Sequence, residues 1–220
     1  VCGIVAAIGI NASAQSYVHE QSKDYIWPTD PQVVEKLKGW QDLKFGILLH
    51  WGLYSVPGMV ESWAITSEDW ITPPKDKTYE EYKQWYWGLI NDFNPVKFNP
   101  EQWASVAKDA GMKYVIFTTK HHDGFCLWDT KTTDFNITNS GFKGNPRQDA
   151  LRYVLDAFRN EGLMPGTYFS KPDWHCEWFW NPNYATADRR QNYKKDRHPE
   201  WWQNYKTFTR NQLTELTTNY

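Results

Sequence analysis

Trp103-Ala104-Ser105-Val106-Ala107-Lys108-Asp109-Ala110-Gly111-Met112-Lys113-Tyr114-Val115-Ile116-Phe117-Thr118-Thr119-Lys120 holds a helix, a stop and a strand in immediate succession. Trp103, Val106, Ala107 and Ala110 recur at i, i+3, i+4 and i+7, one face of an α-helix. Gly111 supplies the stop. Tyr114 to Thr119 then reads as a short strand of the kind a parallel sheet buries.

The same order repeats downstream. Leu151, Val154, Leu155 and Phe158 mark an amphipathic helix, Gly162 stops it, and Pro165 to Ser170 reads as the next strand. Nine residues separate Gly111 from Lys120, and the same spacing separates Gly162 from Lys171. Upstream, Lys44-Phe45-Gly46-Ile47-Leu48-Leu49-His50 is a continuous apolar run, predicting a first strand buried on both faces. A long insertion, Trp51 to Pro100, follows it and carries Tyr82, Trp85, Tyr86, Leu89 and Phe93 at helical spacing. Trp202 to Tyr220 is helical in pattern. Before the first strand, Asp30-Pro31 opens a helix running to about Lys38, with Gly39 as its end.

Helix, glycine stop, apolar strand and polar loop in repetition are the grammar of a parallel α/β fold. Its crossovers are right-handed, so the units wind into a barrel or an open sheet. No Gly-x-Gly-x-x-Gly follows any strand and no Gly-x-x-x-x-Gly-Lys-Ser/Thr occurs, which disfavours the open nucleotide-binding sheet. The expected fold is therefore α/β, the N-terminal part of a (β/α)8 TIM-like barrel with about its first three strands, in a truncated chain.

The net charge of −2 gives no electrostatic case for nucleic acid or an anionic membrane. Aromatic residues make up 17% of the chain, with 14 Trp and 13 Tyr. Such side chains build cores, and in a chain this polar they also line sites that stack on the apolar faces of sugar rings.

Val1 to Ile10 is apolar and too short to span a bilayer, and Asn11-Ala12-Ser13-Ala14 follows it. Residues 1–14 thus read as a signal peptide remnant cleaved near Ala14, and a buried first strand is the rival reading. Export to a periplasmic, secreted or lysosome-like compartment follows. Residues 15–39 form an N-terminal arm and helix, and residues 40–220 the partial barrel. Export leaves Cys126 and Cys176, which read as two buried thiols or as a disulfide between neighbouring strand ends.

In such a barrel the active site lies at the C-terminal ends of the strands. Those ends are His50-Trp51-Gly52, then Lys120-His121-His122-Asp123-Gly124-Phe125, then Tyr168-Phe169-Ser170 running on to Asp173-Trp174-His175. One histidine there is more often a satisfied hydrogen-bonder than a site residue, but three strand ends sharing the pattern point to function. His19 and His198 have no such placement and read as surface. Metallohydrolase barrels need His-x-His, since side chains alternate along a strand. Adjacent His121 and His122 would point to opposite sides of a regular strand, so no metal and no cofactor is expected. Glu61 lies between apolar residues and close to Trp63, and burial there would raise its pKa. A carboxylate, tryptophans and several histidines suit a polyhydroxylated ring.

His50 to Gly58, the Glu61/Trp63 pair, Phe98 to Trp103, Ala110 to Tyr114, Thr119 to Phe125 and Gly166 to Ser170 together resemble the α-L-fucosidases, glycoside hydrolase family 29. The resemblance runs from about Trp40 to the end of the chain. In the family, Glu is commonly followed directly by Trp, whereas here Ser62 intervenes.

The resemblance implies an exo-acting, retaining hydrolase of terminal α-L-fucose, with a fucosylated glycan or oligosaccharide as substrate. His50, Glu61, Trp63, His121, His122 and Tyr168 would hold the fucose, and Trp174 joins them as a candidate from its place after the third strand. The family's nucleophile is an Asp on the fourth strand, expected beyond Tyr220, and its acid/base lies further on. Glu61 is a weak acid/base candidate within the chain. The 220 residues alone are then expected to be inactive. A β-galactosidase-type activity and a non-catalytic sugar-binding protein are the alternatives.

Overall fold

The computed structural model describes residues 26–66, 76–185 and 189–220. The expected signal peptide remnant, His19 and most of the N-terminal arm lie outside the described residues. Two compact units divide the chain at Asp42/Leu43.

In the first unit, α1 (Pro31–Asp42) starts where Asp30 and Pro31 predict. The Asp30 carboxylate accepts the Gln32 N–H at 2.8 Å, satisfying one of the amides a helix leaves open at its start. Gly39 does not end the helix, which runs on to Asp42. An interior glycine costs a helix only about 1 kcal/mol, so it weakens rather than forbids continuation.

The second unit is built on three parallel strands in the order β1 (Gly46–Leu49), β2 (Tyr114–Lys120) and β3 (Met164–Phe169). Gly46 to Leu49 pair with Tyr114 to Phe117, and Tyr114 to Thr118 pair with Met164 to Tyr168. Parallel neighbours need crossovers. The first carries α2 (Tyr79–Gly88) and α3 (Pro100–Asp109), and the second carries α4 (Ala150–Asn160). A capping box of Thr78 and Glu81 opens α2. Asn99 caps α3 with Pro100 in its first turn. A long α5 (Pro199–Asn219) follows β3.

Leu151, Val154, Leu155 and Phe158 of α4 are all buried, as their spacing predicts. On α3 the buried face is Pro100, Ala104 and Ala107, and Val106 is 62% exposed. Small residues let α3 come close to its neighbours, and Val106 instead faces an apolar cleft of about 390 Å³ beside Leu49 and Trp51. The expectation that β1 is buried on both faces also fails, since Phe45 and Leu48 are each 51% exposed. Among the described residues only β2 has a strand on either side, and it holds the buried positions Val115 and Phe117 to Lys120.

Candidate functional site at the strand ends

The β2–β3 register shifts between Thr118 and Lys120, with Thr119 as the extra residue. A bulge of this kind bends the strand and re-aims the side chains beyond it. β2 then ends at Lys120, and the alternation that would separate adjacent histidines ends with it. The His121 and His122 rings lie together, 4.6 Å between centroids.

Around this pair the structure assembles all seven sequence-predicted site residues. His121 lies 5.4 Å from the His50 ring and 6.0 Å from the Tyr168 ring, nearly parallel to the latter. Its Nε2 is 3.5 Å from Glu61 Oε2. His122 lies 5.0 Å from Trp63 and 5.0 Å from Trp174, and those two indoles are 5.4 Å apart. His50 is exposed at the end of β1, and its Nδ1 pairs with Thr118 Oγ1 at 2.8 Å. Glu61 is half-buried and immediately precedes a 3-10 turn, Ser62–Ile65, that presents Trp63.

Burial sets the charge of the cluster. His121 is 3% exposed, and desolvation together with the neighbouring His122 and His50 lowers its pKa to about 3. His122 is lowered to about 4 by burial, with Lys120 and Arg189 adding to the effect. Partial desolvation of the His50 ring lowers its pKa as well, although the residue is exposed overall. At neutral pH these rings are uncharged, each with one donor and one acceptor nitrogen. Ser62, fully buried, sits 2.6 Å from His121 Nδ1. The Glu61 carboxylate can only accept, so the proton belongs on Nε2, and the Ser62 hydroxyl donates to Nδ1.

Beneath the histidines lies a polar layer that sequence reasoning missed. Lys120 is fully buried, with Nζ 3.0 Å from Asp173 Oδ2 and 2.8 Å from Gln212 Oε1 of α5. Asp173 also accepts the N–H groups of His175 and Cys176 through Oδ1. Gly124 has φ +85, and a Cβ there would collide with Asp173 Oδ1, so the glycine of Lys-His-His-Asp-Gly-Phe serves this contact. Asp123 accepts from the Tyr86 hydroxyl at 2.7 Å, and burial pushes its pKa up to about 6. Both carboxylates are committed to buried partners. Cys126 and Cys176 are free and buried. His198 is half-buried rather than surface, stacked on Trp201 at 3.9 Å. Among the described residues, no group of three His, Cys, Asp or Glu is placed to hold a metal ion.

A family model described as alpha-L-fucosidase matches residues 12–220. A putative alpha-L-fucosidase of Caenorhabditis elegans is 33% identical over 166 residues, covering 72% of this chain and 33% of that protein. The plasma alpha-L-fucosidase of Homo sapiens is 32% identical over 168 residues, covering 71% of this chain and 34% of that protein. A GH29 alpha-L-fucosidase from Bacteroides thetaiotaomicron, solved as a trapped covalent intermediate with 2-fluoro-fucosyl fluoride, superimposes with a TM-score of 0.63. It is 33% identical, with 84% of this chain and 39% of that one covered. The chain thus spans about a third of the length of the curated relatives it matches.

Proposed function

Because the chain belongs to the α-L-fucosidase family, we propose that it is the N-terminal part of a (β/α)8 catalytic domain that releases terminal α-L-fucose from glycans, exo-acting and with retention. The observation that carries this reading is the single cluster at the ends of all three strands. His50 and Tyr168 offer neutral donors and acceptors to sugar hydroxyls, His121 positions Glu61 as a further acceptor, and Trp63, backed by Trp174, supplies a ring face. An uncharged imidazole orients a hydroxyl without the desolvation cost of a buried cation.

Retaining hydrolysis needs two carboxyl groups about 5 Å apart. Asp123 and Asp173 are turned to Tyr86 and Lys120 instead. We assign the nucleophile to an Asp on a strand following Tyr220 and the acid/base to residues further on, with the 220 residues inactive alone. Glu61 is the acid/base candidate within them. The covalent intermediate of the Bacteroides relative supports retention. The plasma origin in the human relative's name supports export. Residues 1–14 would be the signal remnant.

Proton NMR of the whole protein acting on an aryl α-L-fucoside tests this. Fucose should appear first as the α-anomer. First release of the β-anomer ends the retaining mechanism. Cleavage of a β-D-galactoside in preference would favour galactosidase activity, and binding without cleavage would favour a sugar-binding protein.

A further inference from the structure

Residues 189–197, between β3 and α5, carry five basic side chains, Arg189, Arg190, Lys194, Lys195 and Arg197, against one acidic, Asp196, in a chain whose net charge is −2. All six are exposed. Among the described residues, Lys194, Lys195 and Arg197 have no carboxylate within ion-pair distance. Like charges gathered this closely repel one another and favour an anionic partner.

A run of this kind is often a solvated tail, but here its backbone is fixed. Trp180 Nε1 donates to the Arg190 carbonyl at 2.8 Å. Asn192 accepts the Asn181 N–H at 2.8 Å and donates back to the Asn181 carbonyl at 2.9 Å. Tyr193 is buried, its hydroxyl donating to the Trp178 carbonyl at 2.6 Å. The backbone that displays the cations therefore loses little further freedom when a ligand binds.

The placement of the cations gives the chemistry of that ligand. The Arg189 guanidinium lies 5.1 Å from the centre of the Trp63 ring, at the edge of the strand-end cluster. Lys194 and Arg197, with Tyr184, Tyr193 and Gln191, line a cleft of about 420 Å³, within the size range of small-ligand sites. Among the described residues no carboxylate lines it. The Lys195 ammonium sits 3.8 Å from the centre of the Trp202 ring. Cations that begin at a sugar site and continue outside it, interleaved with rings and amides, fit negative charges spaced along a carbohydrate chain.

We propose that this segment binds the anionic groups, sulfate esters or uronate carboxylates, of a polysaccharide whose terminal fucose enters the strand-end cluster. The contacts fall on the polymer, away from the cleaved bond. The place of the fucose rests on the fucosidase reading, and the anion binding rests on the segment alone.

Two measurements on the whole protein test it, with Lys194→Gln, Lys195→Gln and Arg197→Gln combined in one variant. The first is affinity electrophoresis through dextran sulfate, polygalacturonate or uncharged dextran. At least one polyanion should bind and dextran should not, and the polyanion that binds better tells sulfate from carboxylate. The variant should bind it about tenfold more weakly, the effect of three lost exposed charge contacts, and with a smaller dependence on salt. Binding of neither polyanion, or equal binding by the variant, overturns the proposal. Tighter binding of duplex DNA or of phosphatidylserine vesicles overturns it as well. The second measurement compares kcat/KM on a fucosylated polysaccharide bearing the anion so identified with kcat/KM on α-L-fucosyl fluoride, which is uncharged. Only the first should fall in the variant, about tenfold, and an unchanged ratio overturns the proposal. If neither substrate is cleaved but polyanion binding still depends on the three cations, the anion site stands and the fucosidase reading falls.

Discussion

Ser62 and His121 are joined side chain to side chain at 2.6 Å, Oγ to Nδ1, across 59 residues of sequence. Ser62 is also the residue that stands between Glu61 and Trp63, where the family commonly has none. It fills a structural need, holding the buried imidazole by one nitrogen so that the other keeps its proton beside Glu61.

Ser62→Ala should therefore leave a buried nitrogen unpaired and destabilise the fold by about 1–3 kcal/mol. The His121 15N shifts should move from the Nε2–H tautomer towards a mixture. An unaltered urea midpoint together with unaltered shifts would show that Ser62 merely fills space.

His121→Ala and His122→Ala should each lower kcat/KM of the whole protein on the order of 10- to 100-fold, His122→Ala by losing a hydrogen bond to the reacting sugar and His121→Ala by freeing the Glu61 carboxylate that its ring positions. Wild-type kinetics in either variant would remove that residue from the site. A chelator should leave turnover unchanged. Loss with EDTA that zinc restores would require a metal the residues described do not suggest.

The strand-end histidines were legible because each follows a local apolar run, and period and stop signals act over a few residues. The rest of the site was not legible for the same reason. Ser62 reaches His121 from 59 residues away, Lys120 reaches Asp173 from 53 and Gln212 from 92, and no periodicity encodes such pairs. Lys120 and Lys171 illustrate this, since they share a spacing from the preceding glycine and yet one is fully buried and the other exposed. On α3 the spacing identifies buried Ala107 and half-buried Trp103, but it also selects Val106 and Ala110, which are exposed, and passes over Ala104, which close packing buries.

Stability should fall as the protein is acidified. His121 and His122 bind protons near pH 3 and 4 when folded, against an ordinary 6.5. Between those values the unfolded chain holds more protons, so their contribution is full above pH 6.5 and is lost towards pH 4. Each ring adds at most about 1.4 kcal/mol per pH unit. Asp123, raised from 3.8 to about 6, opposes one of them between those values. The urea midpoint should still fall from pH 6.5 to 4, and His121→Asn should flatten the fall. A midpoint constant across that range would contradict the assignment of neutral buried rings.

Cys126 and Cys176 should not react with a thiol reagent in the native protein. Cys126 is fully buried, its Sγ 3.5 Å from the Gly124 carbonyl, and burial raises its pKa well above normal. Burial pushes Cys176 up to about 12. The thiolate is the reactive form, so both thiols are suppressed twice, by access and by ionisation. Both should label after denaturation without reductant. Failure to label until a reductant is added would establish the disulfide instead.

The buried lysine gives the largest expected effect on stability. Lys120 closes β2, Asp173 follows β3 and Gln212 lies on α5, so one ammonium group ties three parts of the second unit together. Its remaining surroundings are rings, with Nζ 4.3 Å from the centre of Phe169 and 5.6 Å from that of Phe208. Removing one charge of a buried pair leaves the other uncompensated, which costs about 3–5 kcal/mol. Lys120→Met should lose that much, and the α5 amides around Gln212 should exchange faster. Asp173→Asn keeps an acceptor for the His175 and Cys176 N–H groups but leaves Lys120 unneutralised, so it too should be costly. Combined, the two changes remove both charges, and the double variant should be more stable than the sum of the single losses predicts. A double-mutant cycle reads this coupling directly. Additive losses within about 0.5 kcal/mol would mean the two side chains act independently, and Asp173 would then not be what compensates the buried Lys120 charge.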